Sequence, residues 1–225
     1  MGRTTLVLSA MMLSSIVFGA NFDSDVPTDV QAQMVEDLGF MATVTGATPS
    51  ALHQSIYGDI SGSTYDQFFN SHVKSVGLHT CGNPNAVACV IPFLDSSKMW
   101  ITKNYIKFSH PQIARLMIVY HEARHTEGSK GFWQHATCPV PFNDANGNAM
   151  KSIWTGAPLA GEPACDSKVG GSYGSTVILL KNIGAHCTNC TEKTKMDADL
   201  YAMDQLGRLL GQAKSDALAD MPVAF

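Results

Sequence analysis

Apolar residues recur at helical spacing in several stretches of the chain and alternate in almost none. Between Asp29 and Thr43, Val30, Met34, Leu38 and Met41 fall on one face, which predicts a helix with that face inward. Thr48-Pro49-Ser50 opens a second, short helix, and Tyr65 to Val76 reads as a third. Ile113, Leu116, Met117 and Tyr120 mark another, with Ser109 as its N-cap, Pro111 near its first position and Gly128 as a stop signal. Two helices close the chain. One runs from about Ser172 to Ile183, the other from Met196 to Lys214 with Met196, Leu200, Met203, Leu206 and Leu210 on its inner face. The best strand candidate is Met99 to Ile106, rich in aromatic and β-branched residues. From Gly128 to Gly171 the chain is rich in Gly, Pro and Asn, an irregular stretch too long to expect without a function. The expected fold is α+β and mostly helical, a single domain with a small β element and a long irregular segment.

The first twenty residues read as a signal peptide. Arg3 precedes an uncharged apolar core from Leu6 to Phe18, followed by the small residues Gly19 and Ala20. That core is short for a membrane span, so the expected product is a secreted or periplasmic domain over residues 21–225 with no membrane span. Export makes the six cysteines legible as disulfides. Short loops suggest Cys81–Cys89 and Cys187–Cys190, which leaves Cys138–Cys165 to staple the irregular segment. For Cys187 and Cys190 a redox pair, or a metal site with His186, is the alternative. With 15 basic and 19 acidic side chains the net charge is −4. No basic cluster or basic-aromatic stripe appears, which argues against nucleic acid as a partner.

The chemistry lies in His121-Glu122-Ala123-Arg124-His125. Positions i and i+4 share one helix face, so two imidazoles can converge on one Zn²⁺. Glu122, rotated about 100° from His121, can reach a water on the metal instead. The run resembles the HExxH signature of the zincin metallopeptidases. That resemblance implies a zincin-like fold, a zinc cofactor, a peptide or protein substrate, and Glu122 as the base that activates the metal's water.

A catalytic zinc keeps three protein ligands and one open position. Gly128 stands where metzincins have their glycine, but Gly131 occupies the place of their third His, and His135 follows four residues later. Glu162 and Asp166 have the spacing of the gluzincin ExxxD pattern. Asp166 upstream of Tyr173-Gly174 is similar to the aspzincin arrangement, with a longer gap. His135, Asp166 and Glu162 all remain open as the third ligand. Against these stand an ordinary loop histidine at 135 and a helix N-cap at Asp166. Tyr173 can donate its phenol proton to an oxyanion or merely pack at a helix start. Arg124 and Glu127 are expected as exposed helix charges, with orientation of the zinc histidines as the other reading. The function expected is an exported zinc metallopeptidase. The alternatives are a non-catalytic secreted or envelope protein with a structural scaffold, and a zinc amidase acting on cell-wall material.

Overall fold

The computed structural model describes residues 19–107 and 109–221. The expected signal peptide lies almost wholly outside the described residues. The architecture is mixed α/β, with helices dominating. A four-stranded sheet has the order β1-β2-β4-β3, built from β1 (Asn21–Phe22), β2 (Ser75–Leu78), β3 (Ala88–Ile91) and β4 (Ser96–Ile101). The first three strands in that order run parallel, pairing Val76 with both Phe22 and Met99. Strand β3 runs antiparallel to β4, opposes Cys89 to Trp100, and forms an edge of the sheet.

The helices follow the apolar spacing closely near the N-terminus. Helix α1 (Thr28–Met41) buries Val30, Met34, Leu38 and Met41. Ser50 caps α2 (Ala51–Ile56) by accepting from the His53 N–H, and Ser61 caps α3 (Gly62–His72) through the Thr64 N–H. The third helix therefore starts and stops earlier than expected. Ser75 and Val76 belong to β2, where pairing with two neighbouring strands overrides local helical spacing. A short α4 (Pro92–Asp95) joins β3 to β4, and the expected strand through Ile106 ends at Ile101. The residues after it form α5 (Lys103–Lys107), whose first turn is held by Thr102, its hydroxyl accepting from the Asn104 N–H.

Helix α6 (Gln112–Arg124) carries the HExxH run through the centre of the molecule. Pro111, not Ser109, is its N-cap, and Ile113, Leu116, Met117, Val119 and Tyr120 are buried. Beneath it, α7 (Ser172–His186) lies against α8 (Glu192–Leu206). The expected single C-terminal helix is in fact two, because the chain turns at 207–210 before α9 (Gly211–Asp220). On α8 the inward face is Ala198, Tyr201, Ala202, Gln205 and Leu206, whereas Met196, Leu200 and Met203 are 70 %, 59 % and 53 % exposed. The alanines let α8 approach α7 closely, and that contact takes precedence over the larger apolar stripe. One cluster joins α1, α3, α6, α7 and the sheet around Met34, Tyr65, Met99, Leu116 and Tyr120.

Three disulfides are present, Cys81–Cys89, Cys138–Cys165 and Cys187–Cys190. None of the described helices is long and apolar enough to cross a membrane.

Candidate metal centre

His121 is on the last turn of α6 and His125 is its C-cap, so the two rings project from one face. Beyond His125 a 3-10 turn (Gly128–Trp133) reverses the chain, with Gly131, Phe132 and Trp133 all at positive φ. That reversal delivers His135 to the same point. The Nε2 atoms lie 3.2 Å apart for His121 and His135, 3.3 Å for His121 and His125, and 3.1 Å for His125 and His135. Zn–N bonds near 2.05 Å in tetrahedral geometry set N···N distances of about 3.3 Å.

The partners behind the rings decide what the three nitrogens can be. His125 Nδ1 faces the Phe132 carbonyl at 2.8 Å, and a carbonyl only accepts, so Nδ1 carries the proton. His135 Nδ1 likewise donates to Asp166 Oδ1 at 2.8 Å. In their neutral forms both rings therefore turn bare Nε2 lone pairs toward His121. Burial, and next the neighbouring His135, push the His125 pKa down to about 4, so protonation does not relieve the crowding near neutrality. Three imidazole nitrogens at such distances, two of them bare, could hold a cation, and the donor set suits zinc.

Glu122 is buried beside them, its Oε2 without a hydrogen-bond partner among the described residues. Burial alone pushes its pKa up to about 8. A carboxyl held neutral by desolvation, close to three converging imidazoles, is the companion such a cation would ionise.

Asp166 does not join the cluster of nitrogens. Its Oδ1 holds His135, and its Oδ2 accepts from the backbone N–H of Tyr173 at 2.7 Å and of Gly174 at 3.4 Å. It thus supports His135, a role its spacing did not suggest, and satisfies the first free N–H groups of α7, whose N-cap position is Gly171. Close approach here depends on glycine. A Cβ at Gly171 would overlap the Asp166 carboxylate, and one at Gly174 would overlap the Val169 carbonyl. Glu162 stands on the cleft wall, 3.5 Å from Asn83 Nδ2, and is also outside the cluster. Tyr173 stacks on His135 and meets His121 edge-on, with ring centroids 4.5 Å away in each case.

Arg124 and Glu127 are not solvated helix charges. Arg124 is buried, donates to Glu127 and to the Gly170 carbonyl, and lies over the Trp133 ring. Glu127 also accepts from Trp133 Nε1 at 2.6 Å. Together they brace the reversal that carries His135, a role their spacing beside the motif only hinted at. Arg208, which donates to Tyr173 Oη and lines the cleft, carried no sequence signal. Among the described residues one other grouping, His79 with Cys81 and Cys89, has metal-ligand character, but both its sulfurs are joined in a disulfide.

The triad opens into a cleft of about 570 Å³, within the usual range for ligand sites. Its walls include Ala88 to Val90 on edge strand β3, Met117 and Ile118 on α6, and Trp154, Pro158 and Leu159 from the irregular segment. Comparison with known protein families, with characterised proteins and with solved structures returns no match to this chain.

Proposed function

We propose that this protein is an exported zinc-dependent hydrolase of amide bonds, a peptidase with zincin-like architecture. The observation that carries the reading is the convergence of three imidazole Nε2 atoms beside the buried, unpartnered carboxyl of Glu122, in a cleft of ligand size. Zinc held by His121, His125 and His135 would supply a Lewis acid at its open position, polarising a carbonyl and acidifying a water. Glu122 takes the proton of the attacking water at Oε2 and passes it to the amide nitrogen as the C–N bond breaks. Tyr173 donates from Oη to the carbonyl oxygen as that atom gains charge. Asp166 and the Phe132 carbonyl fix the tautomers and orientation of two of the three rings.

The edge position of β3 favours a peptide as substrate. An extended chain laid along β3 gains main-chain hydrogen bonds, while the apolar cleft wall receives its side chains.

The protein should carry about one equivalent of zinc, read by elemental analysis, and His125→Ala should lose it. The zinc-loaded protein should cleave members of a mixed peptide library, with cell-wall amides assayed in parallel and products read by mass spectrometry. Full zinc retention by His125→Ala would end the reading. So would the absence of turnover in both substrate classes, while cleavage of cell-wall amides alone would replace the peptidase with an amidase.

A further inference from the structure

Behind Tyr173 lies a buried cation. Arg208 sits in the turn between α8 and α9 and is only 6 % exposed, yet it borders the cleft. Its Nη1 donates to Tyr173 Oη at 2.9 Å, and its guanidinium carbon is 4.8 Å from the centre of the Tyr173 ring. Its Nη2 is 3.6 Å from Asp204 Oδ2, and its Nε has no partner among the described residues.

The direction of the Arg208–Tyr173 bond carries the inference. A guanidinium can only donate, so Tyr173 Oη accepts here, and its own proton must point elsewhere. No described residue accepts that proton. Tyr173 is half-buried and borders the cleft, so that proton is directed into the cleft. The ring is clamped between His121 and His135, so the hydroxyl rotor is the freedom left, and Arg208 removes it. The turn is itself pinned to the site. Asp166 N–H donates to the Arg208 carbonyl at 3.0 Å, and Leu210 N–H to the Asp166 carbonyl at 2.9 Å.

We infer that Arg208 is a positioning residue that turns the Tyr173 phenol proton toward the substrate carbonyl oxygen, making the pair a preorganised donor for the developing oxyanion. The inference rests on the hydrolase reading above. In a site shielded from water, a fixed donor backed by a positive charge stabilises the transition state more than the ground state.

The test uses the zinc-loaded protein with Tyr173→Phe, Arg208→Met, Arg208→Lys and the double variant Tyr173→Phe/Arg208→Met. Removal of one oxyanion donor typically lowers kcat about 10²–10³-fold. Tyr173→Phe should show a loss of that order, and Arg208→Met at least about 10-fold, with KM little changed. The double variant should be no worse than Tyr173→Phe, because Arg208 acts only through the phenol. Arg208→Lys, which still offers a donor, should recover part of the loss. A readout independent of turnover is affinity for a peptide phosphinate, a tetrahedral anion, which should weaken in parallel with kcat. Binding of an uncleaved peptide in a Glu122→Gln background should stay level when Arg208→Met is added. Multiplicative losses in the double variant would overturn the inference. Loss of zinc or of folding in both Arg208→Met and Arg208→Lys would also overturn it, by showing a purely architectural role. If the wild type neither cleaves peptides nor binds the phosphinate, the hydrolase reading itself fails, an outcome separate from the other two.

Discussion

Glu122 and His53 are both buried ionisable side chains, and the fold treats them in opposite ways. Glu122 keeps an oxygen without a partner beside the triad. Replacing it with Gln preserves shape and removes the proton acceptor, so zinc content should hold while hydrolysis falls about 10²–10⁴-fold. Wild-type turnover in that variant would exclude the mechanism. His53 is fully satisfied, with Nδ1 donating to the Gly58 carbonyl and Nε2 accepting from Tyr65 Oη, each at 2.9 Å. Burial pushes its pKa down to about 4, against a small opposing pull from the Gly58 carbonyl. The folded state therefore binds this proton less readily than the unfolded chain. His53's contribution is intact above the ordinary pKa of 6.5 and is lost as pH falls toward about 4, by on the order of 3 kcal/mol. Urea unfolding of metal-free protein at pH 7.5 and 4.5 should show this, and His53→Gln should reduce the difference by His53's share, with the part due to buried His121 and His125 remaining. An unchanged pH slope in that variant would rule His53 out as its source. Of these residues, Glu122 was singled out by its place between two histidines. His53 and Arg208 were not, since their roles depend on partners 12 and 35 positions away.

Whole elements were legible where the packing buries the largest apolar side chains. Helices α1 and α6 bury the residues that their spacing nominated. Helix α8 does not, and the reason is steric. Its buried face holds Ala198 and Ala202, which let the backbone lie close to α7, and the larger Met196, Leu200 and Met203 are left outside. Replacing those three by Gln should each change stability by no more than about 0.5 kcal/mol, measured by urea denaturation. A cost of several kcal/mol at any of them would mean that the stripe is covered. Strand β2 escaped notice because four residues paired with β4, two of them also with β1, need little sequence signal of their own. That His135, and not Asp166 or Glu162, meets His121 and His125 escaped the sequence for a related reason. The chain reaches His135 through positive φ at Phe132 and Trp133, a conformation that large side chains seldom advertise.

At the scale of the molecule, the irregular segment is organised by one staple. Cys138–Cys165 closes the stretch that carries His135 near one end and meets Asp166 at the other. Substituting both cysteines with Ser should cost about 2–5 kcal/mol and weaken zinc binding, since it frees the support of one ligand. Equal zinc affinity in that variant, measured by competition with a chelator, would disconnect the staple from the site. The short-loop pairings were readable from spacing, and the long one followed by elimination; the weld between Asp166 and the Arg208 turn was not, because main-chain bonds leave no mark in side-chain pattern. That weld has a consequence under attack by thiols. Coupling between sites is reciprocal, so a cation that favours the stapled arrangement shields Cys138–Cys165 from thiols, and a chelator becomes a reductant's accomplice. Cys187–Cys190, tied instead to Gly46 at the far end of α7, should open at the same rate with or without metal. Metal starvation and reductive attack would then converge on one cross-link, dismantling the histidine triad while the remainder of the molecule stays closed.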